Sequence, residues 1–123
     1  MSEPFLTFWV PGQPIPKQSY RASDHGGYTP ARIKNWQNDV GWEAQIAMSK
    51  AGLDPLKCPV ELDITFYRKT LTRADCDNLA KGVSDACNGI VWGDDDQVTD
   101  LHVRKRFNKK KPGALVTVYR ALD

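Results

Sequence analysis

A chain of 123 residues, 41% hydrophobic and 26% charged, fits one globular domain that can bury a core without disulfide or metal staples. Three cysteines at irregular spacing, Cys58, Cys76 and Cys87, argue against a disulfide framework or a paired zinc knuckle. No basic-then-apolar leader and no run near ~18 apolar residues is visible, so the expectation is a cytoplasmic protein with no membrane contact.

Phe5 to Val10, rich in aromatic and β-branched residues, predicts a strand ending at Pro11-Gly12. Pro11, Pro14 and Pro16 keep the next stretch extended, and it leads to a Gly26-Gly27 loop. From about Ala31 to Ala51, Trp36, Val40, Ala44 and Ala47 recur at helical spacing, with Ile46 beside them. Gly52 suits the exit of that helix. Val60, Leu62, Ile64 and Phe66 alternate with polar positions and predict a half-buried strand.

A second helix is predicted from about Asp77 to Gly89, with Leu79, Val83, Ala86 and Ile90 as its apolar stripe. Gln97 to Phe107 and Leu115 to Leu122 predict two more strands, separated by the basic turn Lys109 to Gly113. The order is β-α-β-α-β-β, an α+β fold with a mixed sheet and helices packed against it.

Charge is unevenly spread along this order. Between Asp75 and Asp100 lie seven acids and one base, Lys81, a net −6. The rest of the chain holds sixteen bases against eight acids, a net +8. Two carboxylates ~5 Å apart at an effective dielectric of ~20 repel by roughly 3 kcal/mol. A divalent cation relieves that repulsion, and a polyanion suits the positive surround. The pairing points to a metal-dependent enzyme acting on nucleic acid.

Asp75 and Asp77 are two apart at a helix start. Extended chain would point both the same way, ~6.6 Å apart, and the helix dipole favours their charge. Capping the helix is the structural alternative for either. Lys81, one turn after Asp77, reads either as an i,i+4 ion pair or as a cation stabilising transition-state charge. Asp94, Asp95 and Asp96 read either as a solvated turn or, anchored by Trp92 and Val98, as metal ligands. Strand-like alternation would let one or two of the three face a common site.

Other chemistries fit worse. The sixth and twelfth positions of an EF-hand starting at Asp75 would be Ala80 and Ala86. His25 and His102 are isolated, and no H-E-x-x-H, P-loop or G-x-G-x-x-G occurs. Cys76 reads as a small packing residue. Hard carboxylate oxygens suit Mg²⁺, with Mn²⁺ as a substitute, and one or two such ions can activate water for phosphodiester hydrolysis.

Candidate phosphate contacts flank the acids: Lys17 and Arg21 in the first loop, Arg68, Lys69 and Arg73 before the acidic segment, and Arg104, Lys105, Lys109 and Lys110 after it. The alternative is a solvated basic face. Tyr20, Tyr28 and Phe107 are candidates for stacking on unpaired bases.

Asp75-x-Asp77-Asn78-Leu79-x-Lys81, with Asp85 four residues on, and Trp92-x-Asp94-Asp95-x-Gln97-Val98 together resemble the RusA family of Holliday junction resolvases. The resemblance covers nearly the whole chain as one domain. It implies a homodimeric, Mg²⁺-dependent endonuclease, often phage or prophage encoded, that places paired symmetric nicks across four-way junction DNA in recombination and repair. By motif position it implies Asp75, Asp77 and Asp95 as metal-binding catalytic carboxylates and Lys81 as the essential lysine, with Asp94 as a further candidate ligand. Cys76 departs from the usual aliphatic residue there, and Asp96 adds a third consecutive acid. A non-catalytic DNA-structure-binding protein and a flap or single-strand nuclease are the alternative readings.

Overall fold

The computed structural model describes residues 3–17, 31–70 and 74–121. The candidates Arg21 and Arg73, with Tyr20, His25 and Tyr28, lie outside the described residues. The elements run β1 (Leu6–Pro11), α1 (Ala31–Ala51), β2 (Val60–Arg68), α2 (Cys76–Cys87), a 3-10 turn (Asp95–Gln97), β3 (Val98–Phe107) and β4 (Gly113–Arg120). The β-α-β-α-β-β order and mixed sheet match the sequence reading.

The strands form one sheet in the order β1-β4-β2-β3. β4 pairs antiparallel with β1 and β2, while β2 and β3 run parallel. A parallel neighbour needs a crossover, and α2 supplies it. The chain then steps from β3 past the end of β2, where Asn108 N–H donates to the Arg68 carbonyl at 2.8 Å.

Alternation decides which face each strand buries. In register, Leu6, Val118 and Leu62 form one inner row, Phe8, Val116 and Ile64 a second, and Val10, Ala114 and Phe66 a third. All of these are buried. The helices cover this face, α1 through Ile33, Trp36, Val40, Ala44 and Met48, and α2 through Leu79, Ala80, Gly82, Val83 and Cys87. Ile33 and Met48 extend the expected α1 stripe, whereas Ala47 is only partly buried against the core.

The inward phase of β2 continues through Arg68, which is 5% exposed. Its Nε donates to the Pro14 carbonyl at 3.4 Å. Burial lowers its pKa from the ordinary guanidinium value. Arg68 was expected to meet phosphate; its enclosure instead ties the Pro-rich segment to the sheet.

Two boundaries also move. α2 ends at Cys87, and Gly89 (φ 82°) turns the chain after the helix rather than closing it. β4 starts at Gly113, inside the expected turn.

Candidate active site

α2, the 3-10 turn and β3 enclose a cavity of about 260 Å³ lined by Asp77, Ala80, Lys81, Ser84, Asp85, Asp95, Val98 and Leu101. Asp77, Lys81, Ser84 and Asp85 share one face of α2 because Lys81 follows Asp77 by four residues, and Ser84 and Asp85 follow Lys81 by three and four. Val98 and Leu101 form the β3 wall, and Leu101 is 50% exposed at its rim.

Asp95 is held by two side-chain donors. Its Oδ1 accepts from the indole N–H of Trp92 at 3.0 Å and from the Ser84 hydroxyl at 3.3 Å. Trp92 is fully buried, so its single donor fixes the carboxylate from inside the core. The neighbouring Cys87 thiol is pushed up to about 12, first by burial and then by the Asp95 charge. It stays protonated and serves as packing, not as a nucleophile.

The turn carrying Asp95 is held by Gln97. Its Oε1 accepts from Gly93 N–H at 2.9 Å and Asp94 N–H at 2.8 Å. Its amide donates to the Leu56 and Cys58 carbonyls at 2.8 and 3.0 Å. Asp94 caps the 3-10 turn, accepting from Asp96 N–H and closing a capping box with Gln97. Asp94 thus builds the turn, Asp95 points its chemistry to the cavity, and Asp96 is exposed.

The α2 acids are arranged otherwise. Asp75 occupies the N-cap position but makes no side-chain cap hydrogen bond, which leaves its carboxylate unused by the helix. It is exposed and does not line the cavity. Asp77 accepts Asn78 N–H at 2.9 Å. Lys81 forms no ion pair with Asp77, although one turn separates them.

One partner was not foreseen. Lys17, expected to meet phosphate, pairs with Asp85 across the cavity rim. Its backbone N–H also donates to the Asn78 carbonyl at 3.1 Å. The Pro-rich segment therefore runs along α2 and brings a second ammonium to the site.

The other basic candidates scatter. Lys105 donates to the Ala74 carbonyl at 2.8 Å, just before α2. Lys69 N–H donates to Gln13 at 2.8 Å, and its side chain is exposed, as are those of Lys109 and Lys110. Arg104 lies on the sheet face away from the helices, where both Nη atoms bond Asp63 at 2.8 and 3.1 Å. That hydrogen-bonded guanidinium holds the Asp63 carboxyl below the usual carboxylate range.

A family model described as endodeoxyribonuclease RusA matches residues 11–119. The chain belongs to the RusA family. It is also similar to the uncharacterized protein YqaN of Bacillus subtilis (strain 168), at 28% identity over 130 aligned positions that span 85% of this chain and 89% of that protein. Every residue of the cavity lies inside the matched RusA span. No helix among the described residues is long and apolar enough to cross a membrane.

For a RusA endodeoxyribonuclease, the donor set can be compared with the needs of a hard cation. Among the described residues, no three of His, Cys, Asp and Glu are grouped closely enough to hold a metal together. Asp77 and Asp95 nevertheless line one cavity. Mg²⁺ takes one or two carboxylates and completes its shell with water and substrate phosphate. The pair fits that requirement, and the cavity is not a preformed all-protein cage.

Proposed function

We propose that this RusA-family endodeoxyribonuclease is Mg²⁺-dependent, resolves four-way DNA junctions by paired symmetric cuts in recombination and repair, and acts as a homodimer. The observation that supports this most is the meeting of Asp77, Lys81 and Asp95 at one cavity, with Asp95 oriented by a buried indole.

In this reading Asp77 and Asp95 supply hard oxygens to the cation, and Asp75 adds charge at the helix entrance. Bound Mg²⁺ would supply charge neutralisation and water activation. Lys81, unpaired with Asp77, stabilises the charge that develops on the attacked phosphate. Trp92 and Ser84 keep Asp95 from swinging away when the repulsion among the acids is unscreened. Exposed Lys69, Lys109 and Lys110 contact backbone phosphates, so specificity comes from junction shape more than from base edges. A two-fold dimer would present two such sites to the approximate two-fold symmetry of the junction.

The test offers a synthetic four-way junction, a flap and a linear duplex to the protein with Mg²⁺, Mn²⁺ or EDTA. Paired nicks on the junction alone, dependent on the divalent ion, are expected. Junction binding without any cleavage would favour a DNA-structure-binding protein, and preferential cutting of the flap would favour a flap nuclease.

A further inference from the structure

The sheet face away from the helices carries an aromatic corner that the cavity does not use. In register, Trp9, Leu115, Thr65 and Arg104 form one row, and Pro11, Gly113, Tyr67 and Arg106 the next. The Trp9 ring leans across Gly113, where an added Cβ would sit 2.3 Å from its Cζ2, so only glycine lets the ring lie there. Its centroid is 5.9 Å from that of Tyr67. The Lys111 ammonium stands 5.4 Å from the Trp9 ring centroid. Asn108 shapes the lysine turn by accepting from Lys110 and Lys111 N–H at 3.2 and 3.0 Å.

Charge selects the occupant. Arg106 pairs in register with Tyr67, Lys109, Lys110 and Lys111 form the turn just before Gly113, and no acid occurs from Arg104 to Arg120. The acids of this face, Glu61, Asp63 and Asp100, lie toward the other end of β2 and β3, Asp100 opposite Glu61, and Glu61 and Asp63 are beside His102 and Arg104. A polyanion is therefore drawn to the aromatic corner and away from the far end. The same end of the sheet borders the start of α2, since Lys105 reaches Ala74.

We propose that Trp9 and Tyr67 form a stacking site for an unpaired DNA base, with Lys111 leaving the indole to meet the adjoining phosphate. This rests on the junction-cleaving reading and adds to it a surface that recognises the opened branch point. Stacking of one base on an aromatic side chain commonly contributes ~1–3 kcal/mol.

The test uses the full chain in EDTA. Probes are a four-way junction carrying 2-aminopurine at its branch, a linear duplex, and a single-stranded oligothymidylate. Trp9→Leu and Tyr67→Leu are expected to weaken junction and oligothymidylate binding roughly tenfold. Both should leave duplex binding nearly unchanged and abolish the 2-aminopurine quench, whereas Tyr67→Phe retains wild-type behaviour. Unchanged affinity and quench in both Leu variants would overturn the proposal. So would equal losses on all three DNAs with a lowered Tm, which would assign the rings to folding. Conversion of a dimer to monomers by Trp9→Leu would also overturn it, giving the corner to a second copy. If the wild-type protein prefers duplex to junction, the junction reading fails by itself. The stacking site then stands only if oligothymidylate binding still depends on the rings.

Discussion

The two acidic stretches that meet at the cavity are built in opposite ways. Around Asp95, nearly every polar group is bonded: Trp92 and Ser84 to Asp95, Gln97 to four backbone groups, Asp94 to the turn it caps. At the start of α2, Asp75 sits in the capping position without capping, and Asp77 bonds only the next residue's N–H among the described residues. One stretch spends its polar groups on geometry, while the other keeps its carboxylates available. A site that must hold one acid rigidly and let others close on a cation and a phosphate would be divided in this way.

The contrast can be strained at several points, from the largest expected effect to the smallest. Lys81→Met should lower junction cleavage by ~10²–10³-fold with little change in DNA binding, in keeping with the loss of one charge-stabilising donor. Single-turnover rates beside binding titrations would separate the two; an unchanged rate would remove Lys81 from the chemistry. Gln97→Ala strands the Leu56 and Cys58 carbonyls and loosens the turn, so urea unfolding should show a loss of ~2–4 kcal/mol. A loss below ~1 kcal/mol would mean that the turn holds itself.

Trp92→Phe keeps an aromatic ring in the core, smaller than the indole, and removes the N–H donor to Asp95. Hydrogen bonds to charged groups contribute ~1.5–3 kcal/mol, so the Mg²⁺ concentration for half-maximal cleavage should rise about tenfold while duplex binding stays constant. A rate defect that excess Mg²⁺ does not restore would contradict a positioning role.

The smallest effect belongs to the far face. The hydrogen bond from Arg104 lowers the folded pKa of Asp63 below an unfolded value of ~3.9. Its stabilisation is therefore present above about pH 4 and lost as pH falls through the lower folded value. The pair is partly exposed and screened by solvent, so Asp63→Asn should cost no more than ~1 kcal/mol at pH 7 and progressively less as pH falls through the lowered folded value.

The course of the chain was readable where one face of an element is buried. β2 shows this best, with Val60, Leu62, Ile64 and Phe66 in strict alternation. The same alternation, carried one step further, also places Arg68 inward, a signal that was present but hidden by its charge. Crowding in sequence marked the acidic segment but not its division: Asp77, Asp85 and Asp95 line the cavity, and Asp75 does not. What could not be read are pairings set by tertiary approach. Lys17 meets Asp85 across 68 residues, and Gln97 reaches back about 40 residues to Leu56 and Cys58. The insertion of β4 between β1 and β2 likewise has no local signature, since hydrophobic alternation fixes a strand's face and not its neighbours. The division of labour among Asp94, Asp95 and Asp96 depends on a 3-10 turn, whose three residues are too few for any periodic pattern.

The most direct measurement compares Asp77→Asn, Asp95→Asn and Asp94→Asn for Mg²⁺-dependent nicking of one four-way junction, with unfolding curves recorded alongside. Asp77→Asn and Asp95→Asn should lose at least ~10³-fold in rate while remaining folded, and Asp94→Asn should keep its rate within a few-fold and lose at most ~1 kcal/mol of stability. Undiminished nicking by Asp77→Asn, or a rate collapse in Asp94→Asn equal to that in Asp95→Asn, would contradict the division between the open helix start and the built turn.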